Sequence, residues 1–271
     1  MYQYLDLGGK IIPMYNLMAG IGILSGVLFL DYRIKKNYIA YPIEIDLYIG
    51  IVTAAAAGLF GSKVFYLFYN KQSITPHNII TGGMTYYGGF ICGIITFSIY
   101  IFIRKRNIVH LLNIAVPSVI ISHAFGRIGC FLGGCCFGKQ TNTFIGVLFP
   151  YNSIPFNFYK GSIKIYPVQI FEALFLFVLF AVIIKAVKLQ YNAAVYFILY
   201  GVFRFFIEFL RGDYRGVLFT PAVSPSQIIS AVFIVAGIIL FIFQIYRMRD
   251  GNIFLAAADM ENRQPKQKFT I

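Results

Sequence analysis

The stretch VQIFEALFLFVLFAVIIKAV, residues 168–187, decides the fold. Apart from Gln169 and two charged side chains, Glu172 and Lys185, the run is apolar. At about 1.5 Å per residue, a helix of this length covers roughly 30 Å, the hydrocarbon thickness of a bilayer. Further runs of this kind fall at about 14–30, 47–69, 84–103, 111–126, 193–210 and 226–246. The composition agrees: of 271 residues 59% are hydrophobic and 12% charged. Mean hydropathy is +0.74. A soluble domain is about 45–50% apolar and about 25% charged, and could not hide this much apolar surface. The same numbers exclude disorder, a coiled coil, collagen and a disulfide-stapled secreted scaffold. The expectation is an all-α polytopic membrane protein with about seven transmembrane helices, the fourth being the shortest.

The formal net charge of +13 does not point to nucleic acid, because Lys and Arg are scattered between apolar runs rather than gathered on a soluble module. They fit the positive-inside rule instead. With the N-terminus outside, 13 of 23 basic residues fall on the cytoplasmic side, including Arg33, Lys35, Lys36, Arg104, Lys105 and Arg106. Seven fall outside, among them Lys139, Lys160 and Lys164 in one long segment. The first run is not a cleavable signal, since its positive cluster follows it. This reading gives one transmembrane domain over residues 1–249 with an external segment at about 127–166. A cytoplasmic, disordered tail occupies 250–271.

In this topology the ionisable groups of the spans gather at one depth, in the outer half. Tyr15, Lys63, His123, Arg127, Glu172, Arg204, Glu208 and Arg211 all lie there, with Gln169 and Gln227 near span starts. A charge inside a span costs several kcal/mol on insertion scales (about 2.5–3.5) and usually marks a pathway or site. Arg204 and Glu208, four apart on one face, read either as a self-neutralising ion pair or as part of a site. The convergence favours a cationic cavity with two carboxylates, suited to an anionic lipid head group. Two glycine-rich stretches, Gly82–Gly89 and Gly126–Gly138, read either as close helix packing or as backbone approaching a ligand. Beside Arg127 the second reads as a loop around a phosphate. Cys130, Cys135 and Cys136 lack a zinc-motif spacing and read first as small apolar residues. A disulfide or a nucleophilic role is open to them. No metal or cofactor is expected.

The order Gly82-Gly-Met-Thr-Tyr-Tyr-Gly-Gly89, Gly126-Arg-Ile-Gly-x-Phe-x-x-Gly-x-x-x-Gly138, Pro167-x-Gln-x-x-Glu172, Tyr200-Gly-x-x-Arg-Phe-x-x-Glu-Phe-x-Arg211 and Ser224-x-x-Gln227 resembles the phosphatidylglycerol–prolipoprotein diacylglyceryl transferases. The resemblance covers roughly residues 13–246. It implies a seven-span enzyme of the bacterial cytoplasmic (inner) membrane, acting in lipoprotein biosynthesis. A diacylglyceryl group moves from phosphatidylglycerol to the lipobox cysteine thiol in a prolipoprotein signal peptide, the first step of lipoprotein maturation. The implied partners are that lipid, the signal peptides and the surrounding membrane lipids.

The resemblance assigns catalytic roles to Arg127, Arg204, Glu208 and Tyr87. It assigns substrate binding to Tyr15, Lys63, Gly88, Gly89, Gly138, Gln169, Glu172, Arg211 and Gln227. Lys63 falls where the family usually has Arg. The best-studied branch has His where this chain has Tyr87, and Asn and Glu where it has Cys130 and Cys135. Tyrosine, titrating near 10, is a poor base at neutral pH, so the proton acceptor is open. His123 is one candidate, or else a hydrogen-bonded packing residue. His77 and His110 receive no role. The alternatives are a paralogue with another acceptor, or a non-catalytic transporter or binding protein for anionic lipid. The inner span halves, almost free of charge, argue against transport.

Overall fold

The computed structural model describes residues 3–6, 8–9, 11–37, 41–213 and 223–249. The expected tail from Asp250 lies outside these described residues. Among the described residues the chain is mostly helical, with short two-stranded sheets. Six helical segments among the described residues are long and apolar enough to cross a membrane: α1 (Met14–Lys36), α2 (Tyr41–Tyr69), α5 (Ile108–Gly133), α7 (Val168–Ala186), α8 (Asn192–Ile207, continued at both ends by single 3₁₀ turns) and α9 (Pro225–Arg249). The expected third span is α4 (Tyr86–Ile103), whose apolar stretch Gly88–Ile103 is shorter than the other six. The fourth, α5, is not the shortest. It continues for 26 residues through Gly126–Gly133, so most of the expected glycine loop is helix.

The fold divides into two compact units. One holds the chain up to Arg33 and from Leu112 onward; the other holds Ile34–Leu111.

In the smaller unit, α2 and α4 pack through glycines. A methyl group on Gly89 would lie 3.0 Å from the Gly58 carbonyl oxygen, and one on Gly58 would lie 3.1 Å from that of Gly89. Gly88 is buried against Gly61 and Phe65 in the same way. Small residues of this kind let two helix backbones approach where no hydrophobic effect drives them together. The short helix α3 (Pro76–Thr81) is capped by the Thr75 hydroxyl, which accepts from Asn78 N. Asp46 is fully buried and bound by Arg104 Nε and Arg106 Nε, both at 2.7 Å. Arg104 and Arg106, expected in a cytoplasmic loop, are thus the partners of a buried acid.

In the larger unit, Val116, Ile120 and Ala124 of α5 meet Leu176, Leu179 and Ile183 of α7 and Ala193, Tyr196 and Tyr200 of α8. Phe175 and Phe203 stack across α7 and α8 at 4.0 Å. Pro117, inside α5, cannot donate to the Asn113 carbonyl one turn earlier. That carbonyl accepts instead from Asn192 Nδ2 at 3.0 Å, while Asn113 Oδ1 caps α8 by accepting from Ala193 N at 2.8 Å. The break in one helix thus fixes the start of another.

Between α5 and α7 lie β3 (Val147–Leu148), α6 (Ile154–Tyr159) and β4 (Lys164–Ile165). Gly138 pairs with Arg211 and Gln140 with Ile165, so residues 138–140 run between the end of α8 and β4. Phe137, Phe149 and Ile165 form a small core beneath them. At Gly138 a side chain would collide with Tyr166 and approach the Leu210 carbonyl oxygen to 3.0 Å, so only glycine fits this crossing. The β1–β2 hairpin (Tyr4–Asp6, Ile11–Pro13) precedes α1.

Candidate active site

Two charged networks occupy the larger unit. They lie where α5 ends, α7 begins, α8 ends and α9 begins. The first is centred on Glu172, which is 1% exposed. Its Oε1 lies 3.1 Å from Arg127 Nε and accepts a hydrogen bond from the Tyr200 hydroxyl at 2.9 Å. Arg127 Nε also donates to His123 Nε2 at 3.2 Å, and the His123 ring stands edge-on to that of Tyr200, 5.2 Å between centroids. His123 and Arg127 share a face of α5 at four-residue spacing. His123 therefore accepts a hydrogen bond from a guanidinium, which occupies the nitrogen a base would use. Tyr200 belongs to the motif Tyr200-Gly-x-x-Arg but is assigned no role by the resemblance; its hydroxyl is a partner of Glu172. Its signal is present, since Tyr200, Arg204 and Glu208 recur at intervals of four.

The second network begins with Arg204, whose Nη2 lies 2.7 Å from Glu208 Oε2 and donates to Ser226 Oγ at 3.1 Å. Its Nη1 is buried and has no hydrogen-bond partner among the described residues. Arg211 Nε lies 3.8 Å from the same Glu208 oxygen, and Arg211 grips Asp213 with two bonds of 2.9 and 2.7 Å. Burial opposes the Arg211 charge, but Asp213 more than offsets this and holds its pKa above the usual guanidinium value. The carboxylates are thus shared out, Glu172 to Arg127 and Glu208 to Arg204 and Arg211.

The remaining expected site residues fall into different settings. Gln169 is buried at the start of α7, and its Nε2 donates to the Cys135 carbonyl at 2.7 Å. Tyr15, half-exposed at the start of α1, packs over Gly129 and Gly133 of α5. Gly138 is the backbone crossing described above. In the smaller unit, Lys63 Nζ donates to the carbonyl oxygens of Ile80 and Gly82 at 3.0 and 3.2 Å, tying α2 to the end of α3. Gly88 and Gly89 are helix-packing residues there. The Tyr87 side chain lies outside the described residues.

Gln227 and Ser224 form a reciprocal cap at the start of α9. Gln227 Oε1 accepts from Ser224 N at 3.0 Å, and Ser224 Oγ accepts from Gln227 N at 3.2 Å. The pattern Ser-x-x-Gln is the sequence signature of this box. Gln227→Ala is expected to cost about 1 kcal/mol of stability or less. Transfer should stay within a few-fold of the parent when assayed below the thermal midpoint. A loss of transfer without a loss of stability would place Gln227 on the substrate instead.

The expected phosphate loop is shorter than its glycines suggest. α5 ends in a Schellman turn, with Gly134 in the left-handed region at φ +73°, Gly134 N bonded to Phe131 O and Cys135 N to Cys130 O. The turn folds Cys135 back over Cys130, and Cys136 follows at φ +60°. The three sulfurs lie within 4.8 Å of one another, which the spacing alone does not announce.

Buried arginine–carboxylate networks at the shared end of four apolar helices mark a polytopic membrane protein. The sequence model described as "Prolipoprotein diacylglyceryl transferase" matches residues 3–243, and the chain belongs to that family. It is 37% identical over 254 residues to the phosphatidylglycerol–prolipoprotein diacylglyceryl transferase of Clostridium tetani, covering 90% of this chain and 97% of that protein. It is 31% identical over 246 residues to transferase 2 of Clostridium perfringens, covering 87% and 92%. A Dehalococcoides mccartyi transferase is 26% identical over 257 residues, covering 91% and 95%.

Proposed function

We propose that this chain transfers the diacylglyceryl group of phosphatidylglycerol to the lipobox cysteine thiol of prolipoprotein signal peptides. The acceptor sulfur bonds to the glyceryl carbon, the carbon–oxygen bond to phosphate breaks, and glycerol phosphate leaves with that electron pair. The thiol proton must be lost for the sulfur to attack.

The observation that carries this reading is Arg204, buried, bound on one side to Glu208 and Ser226, with Nη1 unpartnered among the described residues. A guanidinium held in that way is preset for an anionic oxygen. Arg127, fixed by Glu172, is the second hand of the clamp. Charge that develops on the leaving phosphate then meets donors already in place, in a site poor in water. Glu172 and Glu208 orient the arginines, and Arg211 holds the connection between the end of α8 and residues 138–140. Tyr15, Gln169 and Gly138 border this region and contribute to substrate binding; a part in substrate binding or positioning is proposed separately for Lys63, Gly88, Gly89 and Tyr87.

The test is reconstitution in phosphatidylglycerol vesicles with a synthetic signal peptide. The expected result is one diacylglyceryl mass gained on the peptide cysteine and one glycerol phosphate released per peptide. Folded protein that modifies no peptide would overturn the reading.

The enzyme is placed in the bacterial cytoplasmic membrane, with its N-terminus and the 139–164 segment outside. A reporter fused after Ile108 should read as cytoplasmic and one within 139–164 as external. The reversed pattern would separate the site from an outer-leaflet donor.

A further inference from the structure

The cysteines of the larger unit are not absorbed by the clamp. Cys130 sits one turn after Arg127 on α5, and the Schellman turn at Gly134 returns Cys135 and Cys136 to it. All three sulfurs lie within 4.8 Å of one another. All three residues are partly accessible rather than sealed in a core. The shell around them is ordered: Cys135 Sγ is 3.7 Å from the Cys130 carbonyl oxygen, and Gln169 Nε2 holds the Cys135 carbonyl at 2.7 Å. Cys136 is held in the left-handed region, which a residue with a side chain rarely adopts.

We propose that Cys130, Cys135 and Cys136 form a three-thiolate Zn²⁺ site whose fourth position takes the cysteine sulfur of the acceptor peptide. This rests on the transferase reading above. Thiolates favour a soft or borderline cation, and zinc is redox-inert and tetrahedral. With Zn–S near 2.3 Å, tetrahedral sulfurs stand about 3.8 Å apart, a spacing the cluster reaches with small shifts. Three protein ligands and one open position are the arrangement of catalytic rather than structural zinc.

Three thiolates on Zn²⁺ leave one negative charge, and Arg127 and Arg211 stand beside the cluster to offset it. On coordination the acceptor thiol gives its proton to solvent. The zinc-bound sulfur then forms the bond to the glyceryl carbon, and the carbon–oxygen pair leaves with the phosphate. The resulting thioether is a weaker ligand and dissociates. Zinc thus supplies the acceptor as a thiolate.

The test uses full-length protein purified under reducing conditions in detergent. Zinc analysis after dialysis should give one ion per chain, lost in the triple variant C130S/C135S/C136S and weakened at least about tenfold in each single variant. Cobalt substitution should give a thiolate-to-metal charge-transfer band. A signal peptide with cysteine at the acceptor position should change that band, and the same peptide with serine should not. Zinc removal should lower transfer at least about tenfold, restored by added Zn²⁺.

Reduced protein that binds no zinc, or a Cys130 disulfide that persists in the active enzyme, would overturn the site. Transfer at full rate without zinc would also overturn it and leave the transferase reading intact. Zinc and the cysteine-dependent cobalt change in protein that transfers nothing would support the metal site and count against the transferase reading.

Discussion

Arg127→Lys is expected to lower diacylglyceryl transfer at least about 100-fold, the size of losing one preset electrostatic stabiliser, in protein that still inserts and accumulates. Arg127 Nε serves two partners at once, Glu172 Oε1 at 3.1 Å and His123 Nε2 at 3.2 Å. The rest of its planar fork is thereby aimed. Lysine keeps the charge that neutralises buried Glu172 but offers a single rotating ammonium in place of the fork. Arg127→Ala should remove activity as well, but it strands the Glu172 charge, so a loss there would mix folding with function. Kinetics on the lysine variant, read beside its thermal midpoint in detergent, separate the two. Full activity would remove Arg127 from the clamp.

The double replacement Arg204→Met with Glu208→Leu should likewise lose at least about 100-fold in transfer, with little change in stability. A buried ion pair often contributes little net stability once both partners go, whereas removing one partner leaves an unpaired charge. The surroundings favour a clean outcome here. Arg211, the other cation near Glu208, keeps its two bonds of 2.9 and 2.7 Å to Asp213. A stable and fully active double variant would make the pair purely structural. A variant that no longer folds would give Arg204 a structural role that its unpartnered Nη1 does not suggest, and single-turnover binding of phosphatidylglycerol to Arg204→Lys then decides the clamp.

The sequence by itself determined the membrane class, the position of each apolar run and the order of motifs that marks the family. These signals are local. In hydrocarbon every backbone hydrogen bond must be satisfied within its own segment, so each span declares itself by length and polarity without reference to its neighbours. It also showed that charged groups recur near the ends of several spans. What it misjudged locally was the end of α5, where glycines that read as loop remain helical because α1 packs on them through Tyr15 and Met18. Two motifs it displays, Ser224-x-x-Gln227 and Tyr200-Gly-x-x-Arg, gain their structural meaning as a helix cap and a Glu172 partner only from the contacts.

Only the tertiary structure decided which acid serves which base. Glu172 is 45 residues from Arg127 in the chain, and whether they meet depends on the rotation of α5 and α7 about their axes, set by close packing of side chains along each helix. The same holds for Asp46, whose partners Arg104 and Arg106 lie at the far end of α4. The three sulfurs near the end of α5 converge because one left-handed glycine reverses the chain there, and no spacing rule contains that reversal.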